Sequence, residues 1–378
     1  GGTGGRTRGG LARGEGPVRR VVVECDAVAD GPSQGATRAA VRLRSGMQVE
    51  LRLGPAVSDG AALFYFTGSK SHNIALRKIA QARGLKVNEY GVFRGSRRIA
   101  GRSEREVFAS VDLPWIPPEL RKNRGEIEAA RAGRLPVLVE PGDLRGDLHA
   151  HTSASDGHDS LEAMAAAARA LGYGYLAITD HSQNVRVAHG LDARALRRQF
   201  AAIEKLNAGF RRFRLLKGVE VDILTDGRLD LPDALLAEMD VVVAAVHYGL
   251  DLPAAKQTAR VLKALDNPHV HILAHPTTRL INERGEFAAS TGKIFAAAAE
   301  RGVAMEINAH PDRLDLDDVH ARAARDAGCR LVISTDAHSR ADLANMRFGV
   351  DQARRAWLSR KDVLNTLPVA RLLRALHR

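Results

Sequence analysis

Between residues 146 and 340 short β-branched apolar runs alternate, seven times over, with alanine-rich stretches whose apolar positions recur at helical spacing. This pattern predicts strands over 146–151, 175–180, 215–221, 241–247, 271–275, 303–308 and 330–335. Helices such as 160–171, 191–208 and 317–327 fall between them. Runs that are apolar at every position, such as Val241 to Val246, suit parallel strands covered on both faces. The expected fold is therefore α/β, with seven βα units closing into a TIM-like barrel whose strand C-termini open at one mouth.

Outside that array the pattern changes. The opening GGTGGRTRGGLARGEGP has too few apolar positions to pack, and residues 1–20 are expected to form a disordered Gly/Arg-rich tail. At 40.8 kDa the chain exceeds the usual single-domain size, so two folded parts are expected, dividing near Gly146. The end of the chain, 346–378, carries Leu at helical spacing among many Arg. It reads as amphipathic helices that pack on the barrel, a membrane-surface role being the minor alternative.

Charge separates the two parts. Residues 1–145 hold 25 Lys and Arg against 15 Asp and Glu, which accounts for +10 of the total +12. Such a surplus favours a polyanionic partner, although an arginine-rich composition would produce it too. Aromatic residues are only 4%, which argues against extensive base stacking. Two cysteines, Cys25 and Cys329, give neither a disulfide framework nor a zinc ribbon and suit a reducing cytoplasm. No signal-like segment and no run of eighteen apolar residues points to secretion or a membrane span.

The candidate chemistry lies at the ends of the predicted strands: GDLHAHTSASDG (146–157), ITDHS (178–182), KGVEVD (217–222), VVAAVHY (242–248), ILAHP (272–276) and VISTDAHS (332–339). A single histidine after a strand is more often a hydrogen-bonded core residue than a ligand. The set reads differently. His149 and His151 lie two apart on one face of a strand, a common way to offer two ligands to one metal, and Asp336 and His338 repeat the device. With Asp156, His181, Glu220, His247 and His275 they describe a multinuclear metal site and hence a hydrolase.

These motifs resemble the polymerase and histidinol phosphatase (PHP) superfamily over 146 to about 345, which implies a distorted (β/α)7 barrel. The resemblance implies that His149, His151, Glu220 and Asp336 hold one metal, Glu220 with His247 and His275 a second, and Asp156, His181 and His338 a third. Manganese or zinc is the expected metal, and iron also suits such ligands. His149, His151, Glu220 and Asp336 are the expected catalytic core, with a metal-activated water as nucleophile in place of Ser or Cys. Arg279, in HPTTRL, is positioned to contact a substrate phosphate, or else is a solvated arginine or pairs with Glu283. Arg186, after His181, and His310 and Arg313, in EINAHPDRLDL, are weaker candidates.

The first part carries a second resemblance. Residues 46–93, GMQVELRLGPAVSDGAALFYFTGSKSHNIALRKIAQARGLKVNEYGVF, resemble the end of the palm and the thumb of family X DNA polymerases. The stretch 113–140, LPWIPPELRKNRGEIEAARAGRLPVLVE, is similar to the connector of bacterial PolX into its PHP domain. Residues 21–112 would then be a partial palm and thumb, a small α+β domain, and 113–145 a linker. By this resemblance Tyr65, Phe66, Gly68 and Ser69 line a nucleotide pocket, and Lys70, Asn73 and Arg77 lie on the helix that meets base and template. Without it, TGSK is only a helix start with an anion-friendly N-terminus.

The family palm needs three carboxylates for two magnesium ions, and residues 1–45 contain no Asp-x-Asp pair. Asp26 and Asp30 lie in unrelated surroundings, and Glu50 stands where the family has aspartate. The chain is expected to be a truncated or shifted gene product, or a lineage that shed polymerisation. Magnesium would serve only residual polymerase function. What the resemblance implies is a monomeric, cytoplasmic DNA repair protein that trims or cleans 3′ ends. It would grip primer-template or gapped duplex through phosphate contacts without sequence selection. A small-molecule phosphatase of the histidinol-phosphate type and a DNA-binding accessory protein with a structural metal are the alternatives.

Overall fold

The computed structural model describes residues 28–35 and 38–377, so the Gly/Arg-rich tail and Asp26 lie outside the described residues, as does the side chain of Asp30. The chain divides into two compact units, Gly1–Arg134 and Leu135–Arg378. Among the described residues no helix is long and apolar enough to cross a membrane.

The first unit opens with an antiparallel sheet of β1 (Val28–Gly35), β2 (Arg38–Leu43) and β3 (Gln48–Arg52). Two helices follow, α1 (Asp59–Thr67) and α2 (Lys70–Gln81), the second N-capped by the Ser69 hydroxyl, which accepts from the His72 N–H. A second antiparallel sheet, β4 (Lys86–Asn88), β5 (Gly91–Arg94) and β6 (Arg97–Ala100), leads to α3 (Glu104–Ala109) and α4 (Glu126–Arg131). Phe64, Leu76, Val92, Val107 and Phe108 are fully buried between them.

The expected linker 113–145 is corrected here, because 113–134 belong to this unit. The resemblance of 113–140 to a connector implies a linker, but Leu113, Ile116, Leu120 and Ile127 bury their side chains. The buried Arg121 guanidinium donates to both Glu104 oxygens, at 2.5 and 3.0 Å, and to the Ile116 carbonyl. Glu126 receives the buried His72 ring at 2.6 Å together with the N–H groups of Asn123 and Arg124. A solvated linker would make none of these contacts.

All seven strands predicted in the second unit are present: β7 (Gly146–Asp147), β8 (Tyr175–Ile178), β9 (Arg214–Asp222), β10 (Val241–Ala245), β11 (Ile272–Leu273), β12 (Ala304–Asn308) and β13 (Leu331–Ser334). They pair in parallel in chain order, β7 to β13. Helices α5 (Leu161–Ala170), α6 (Ala193–Asn207), α7 (Asp233–Leu236), α8 (Ala254–Leu265), α9 (Thr291–Arg301) and α10 (Asp318–Asp326) lie between strands. After the last strand come α11 (Met346–Arg355) and α12 (Val369–Leu376).

The fully apolar β10 shows why such runs occur. Val241, Val243 and Ala245 join the barrel interior with Leu148, Tyr175, Leu216 and Val332, while Val242, Ala244 and Val246 face the helical layer. Leu372 and Leu376 of α12 pack into the interior cluster, so that helix serves the core.

Closure is incomplete in an informative way. Strands β7 and β13 share no ladder, only a bridge between Ala150 and Ala337. The gap is filled by Asn365, whose amide donates to the Gly146 and Ile333 carbonyls and whose oxygen accepts from the Ile333 N–H. Asp147 adds a cross-link by accepting from the Thr335 N–H and hydroxyl. Replacing Asn365 with Ala would orphan three buried backbone groups and is expected to cost on the order of 3 kcal/mol. Urea unfolding of the barrel measures this, and a loss below about 1 kcal/mol would show that the seam closes without Asn365.

Candidate metal centre

Every barrel strand except β12 delivers at least one of the nine candidate ligands to the same mouth. His149, His151 and Asp156 follow β7, His181 follows β8, Glu220 lies in β9, His247 and His275 follow β10 and β11, and Asp336 and His338 follow β13. His275 (φ 27°) and Asp336 (φ 54°) hold left-handed backbone, a local strain of the kind concentrated at functional sites.

Glu220 sits at the middle of the cluster. Its Oε1 lies 2.8 Å from His275 Nε2 and 3.2 Å from His247 Nε2. Its Oε2 lies 2.8 Å from His181 Nδ1, 3.5 Å from His149 Nε2 and 3.7 Å from His151 Nε2. Asp336 Oδ1 approaches His151 Nε2 at 3.1 Å and His149 Nε2 at 3.5 Å. Asp156 Oδ2 lies 3.4 Å from both His181 Nε2 and His338 Nε2. Ligand atoms fall within 4.8 Å of one another in three overlapping groups: His151, Asp156, His181 and His338; His149, His151 and Asp336; and His181, Glu220 and His247.

Whether these residues suit divalent cations is decided by their unpaired atoms. His149 Nε2, His151 Nδ1 and His247 Nε2 are buried without a well-formed hydrogen bond and lie 3.5, 3.7 and 3.2 Å from carboxylate oxygens of the cluster. Each such atom costs about 1–3 kcal/mol if left unmet, and a fold does not collect three in one place without a ligand for them. Mixed imidazole and carboxylate donors fit zinc, manganese or iron.

Electrostatics agree with this. Burial opposes ionisation of Glu220, yet His181, His247 and His149 hold it well below the usual carboxylate range. Burial likewise opposes protonation of His181 and His338, but Glu220 and Asp156 raise the first to about 10, and Asp156 and Asp336 raise the second to about 9. Protons thus balance carboxylates that cations would otherwise neutralise.

Sequence reasoning missed the residues behind the ligands. Glu306 Oε1 meets His149 Nδ1 at 2.8 Å, and Asp222 Oδ1 meets His247 Nδ1 at 3.0 Å, each leaving Nε2 turned inward. A signal was present. Glu306 and Asn308 are two apart in the buried strand AMEIN, and Asp222 is two beyond Glu220, on the faces that carry ligands elsewhere.

Arg279 is placed differently from the expected phosphate contact. Its Nε and Nη2 donate to the Arg313 and Leu314 carbonyls at 2.8 and 2.5 Å, and Nη1 lies 3.7 Å from Asp317 rather than beside Glu283. It fastens the loop after β12. The Arg313 side chain on that loop lies 3.4 Å from Asp336 Oδ2. His310 is half-buried on the same loop, and Arg186 is exposed after His181.

In the first unit, Gly68 is buried, Tyr65 and Ser69 are half-buried, and Phe66, Lys70 and Arg77 are exposed. The Arg52 guanidinium stacks over the Phe66 ring at 5.0 Å. Asn73 is not presented beside Arg77: it is 9% exposed and donates to the Tyr65 carbonyl at 2.7 Å. Glu50 is engaged by Arg38 and Arg52.

Two family models match the chain: DNA polymerase beta thumb over residues 62–122 and PHP domain over 147–310. The chain is 42% identical over 352 residues to the "DNA polymerase/3'-5' exonuclease PolX" of Bacillus subtilis, covering 92% of this chain and 61% of that protein. It therefore spans less than two thirds of that relative's length. It is 32% identical over 202 residues to a "Probable phosphatase" of Acetivibrio thermocellus, covering 51% of this chain and 78% of that one. The crystal structure of a Lactococcus lactis histidinol phosphate phosphatase aligns over 55% of this chain and 93% of its own, with a TM-score of 0.42 and 16% identity.

Proposed function

The chain belongs to the PHP family through its barrel and is a PolX homologue across thumb and barrel, and from that premise we propose that it is a metal-dependent phosphoesterase acting on DNA 3′ ends during repair. It would act as a 3′–5′ exonuclease, an end-cleaning phosphatase, or both. The observation that carries this reading is the nine-residue cluster with its three buried, unpartnered imidazole nitrogens.

Under this reading His149, His151, Glu220 and Asp336 hold one ion, Glu220 with His247 and His275 a second, and Asp156, His181 and His338 a third. Manganese or zinc is the proposed metal. Divalent cations bound there supply Lewis acidity toward a phosphoryl oxygen and acidify water for in-line attack. The two oxygens of Glu220 face different histidines, so this carboxylate would be shared between two of the ions. Arg313 brings positive charge to the mouth beside Asp336, where an anionic ester would approach.

Lys70 and Arg77, exposed on α2, supply the proposed grip on the DNA backbone. Replacing both with Ala is expected to weaken binding to every sequence alike and to reduce the slope of log K against log salt by up to about 2. Fluorescence anisotropy over a salt series reads this, and an unchanged slope would remove α2 from the interface. A cytoplasmic monomer is part of the proposal, and templated synthesis is not.

The rival with a specific motivation is a small-molecule phosphatase, because the Acetivibrio thermocellus "Probable phosphatase" matches only 51% of this chain yet is covered over 78% of its own length. Steady-state turnover of a 3′-recessed duplex and of histidinol phosphate by the manganese-loaded chain separates the two. Higher kcat/KM on DNA supports the proposal, and efficient turnover of histidinol phosphate without DNA hydrolysis would replace it.

A further inference from the structure

Strand β12 is the barrel strand that contributes no candidate ligand, yet it carries two polar residues, Glu306 and Asn308, with 0% exposure at the level of the cluster. Burying a carboxylate in an apolar strand is costly unless donors meet it. Three do: His149 Nδ1 at 2.8 Å, the His275 backbone N–H at 2.7 Å and the Asn308 amide at 3.2 Å. The same amide donates to Asp336 Oδ2 at 3.0 Å. Asn308 is itself fixed, its Oδ1 accepting from the His310 N–H and its own N–H donating to the Asp315 carbonyl. These bonds tie together residues from the ends of β7, β11 and β13.

We propose that Glu306 and Asn308 are positioning residues of the metal centre: Glu306 fixes His149 as the Nδ1–H tautomer and sets the turn at His275, and Asn308 turns Asp336 so that Oδ1 faces the ions. A carboxylate only accepts, so the ring nitrogen facing it must donate, which leaves His149 Nε2 with its lone pair directed at Glu220 and Asp336. Asn308 occupies one oxygen of Asp336 and leaves the other, 3.1 Å from His151 Nε2, for coordination. The inference rests on the cluster being a metal centre.

Glu306→Gln tests it. A glutamine fills the same volume but can present an oxygen to only part of the donor set, and its NH2 must oppose the His149, His275 or Asn308 donor. Outer residues of this kind are worth about 10–100-fold in metal affinity. Calorimetric titration of manganese into metal-free protein is expected to show that loss for the ion held by His149 and Asp336, with the unfolding midpoint of the metal-free barrel within a few degrees of wild type. Equal affinity in Glu306→Gln and wild type would overturn the inference, whereas a wild-type chain that binds no metal would overturn the metal-centre reading beneath it. Should the variant fail to fold, nitrogen-15 spectra of histidine-labelled, zinc-loaded wild type decide instead. A proton on His149 Nδ1 is expected, and a proton on Nε2 would refute the assignment.

Discussion

Glu220→Ala is expected to lower phosphoester hydrolysis on the order of a thousandfold or more while DNA affinity stays within about twofold. The residue is 1% exposed and its two oxygens face five histidines, so no neighbour can replace it. Loss of the carboxylate proposed to hold two ions would remove several kcal/mol of transition-state stabilisation, and each 1.4 kcal/mol is about tenfold in rate. The DNA grip assigned to Lys70 and Arg77 lies in the other compact unit, which is why binding and chemistry should separate. Single-turnover assays with excess protein read the chemical step, and anisotropy reads the binding. Near-normal turnover by this variant would remove the cluster from the reaction.

Removing metal is expected to destabilise the barrel and leave the thumb unit unmoved. Ions present at about one hundred times their Kd stabilise the folded state by about 2.7 kcal/mol per site. For a unit of this size each kcal/mol shifts the unfolding midpoint by about 2–4 °C, so each filled site should raise the barrel transition by roughly 5 °C or more. Calorimetry before and after chelation tests this, the two compact units giving two transitions. A thumb transition that moved equally would point to general ionic effects. No shift in either would mean that the unpaired imidazole nitrogens of the cluster are not met by metal.

The sequence made the barrel legible because its signal is local and repeated. All seven strands were predicted because a parallel strand buried on both faces must be apolar throughout, as β10 is. What periodicity does not encode is closure. The seam between β7 and β13 is filled largely by one asparagine far along the chain, in a segment that reads only as amphipathic, beside the Asp147–Thr335 contact. The extent of the linker was misjudged for a related reason: Arg121, directly after WIPPEL, finds Glu104 seventeen residues earlier, a pairing no local pattern marks.

For the site, the nine candidate ligands were legible because strand ends collect at one mouth, so position along a strand translates into position in space. Their supports were not. Glu306 lies 157 residues from His149, and only the barrel brings them together. Arg279 shows the reverse limit, because an arginine near a strand end serves equally as a phosphate contact or as a clasp on the next loop, and no local pattern announces its bonds to the Arg313 and Leu314 carbonyls.

The most direct test follows a 5′-labelled primer-template through time with the manganese-loaded chain, once with a 3′-hydroxyl and once with a 3′-phosphate, beside His149→Ala. The account predicts a ladder of shortened products, removal of the phosphate, or both, each absent in the variant. Unchanged DNA from protein shown to contain metal would contradict it.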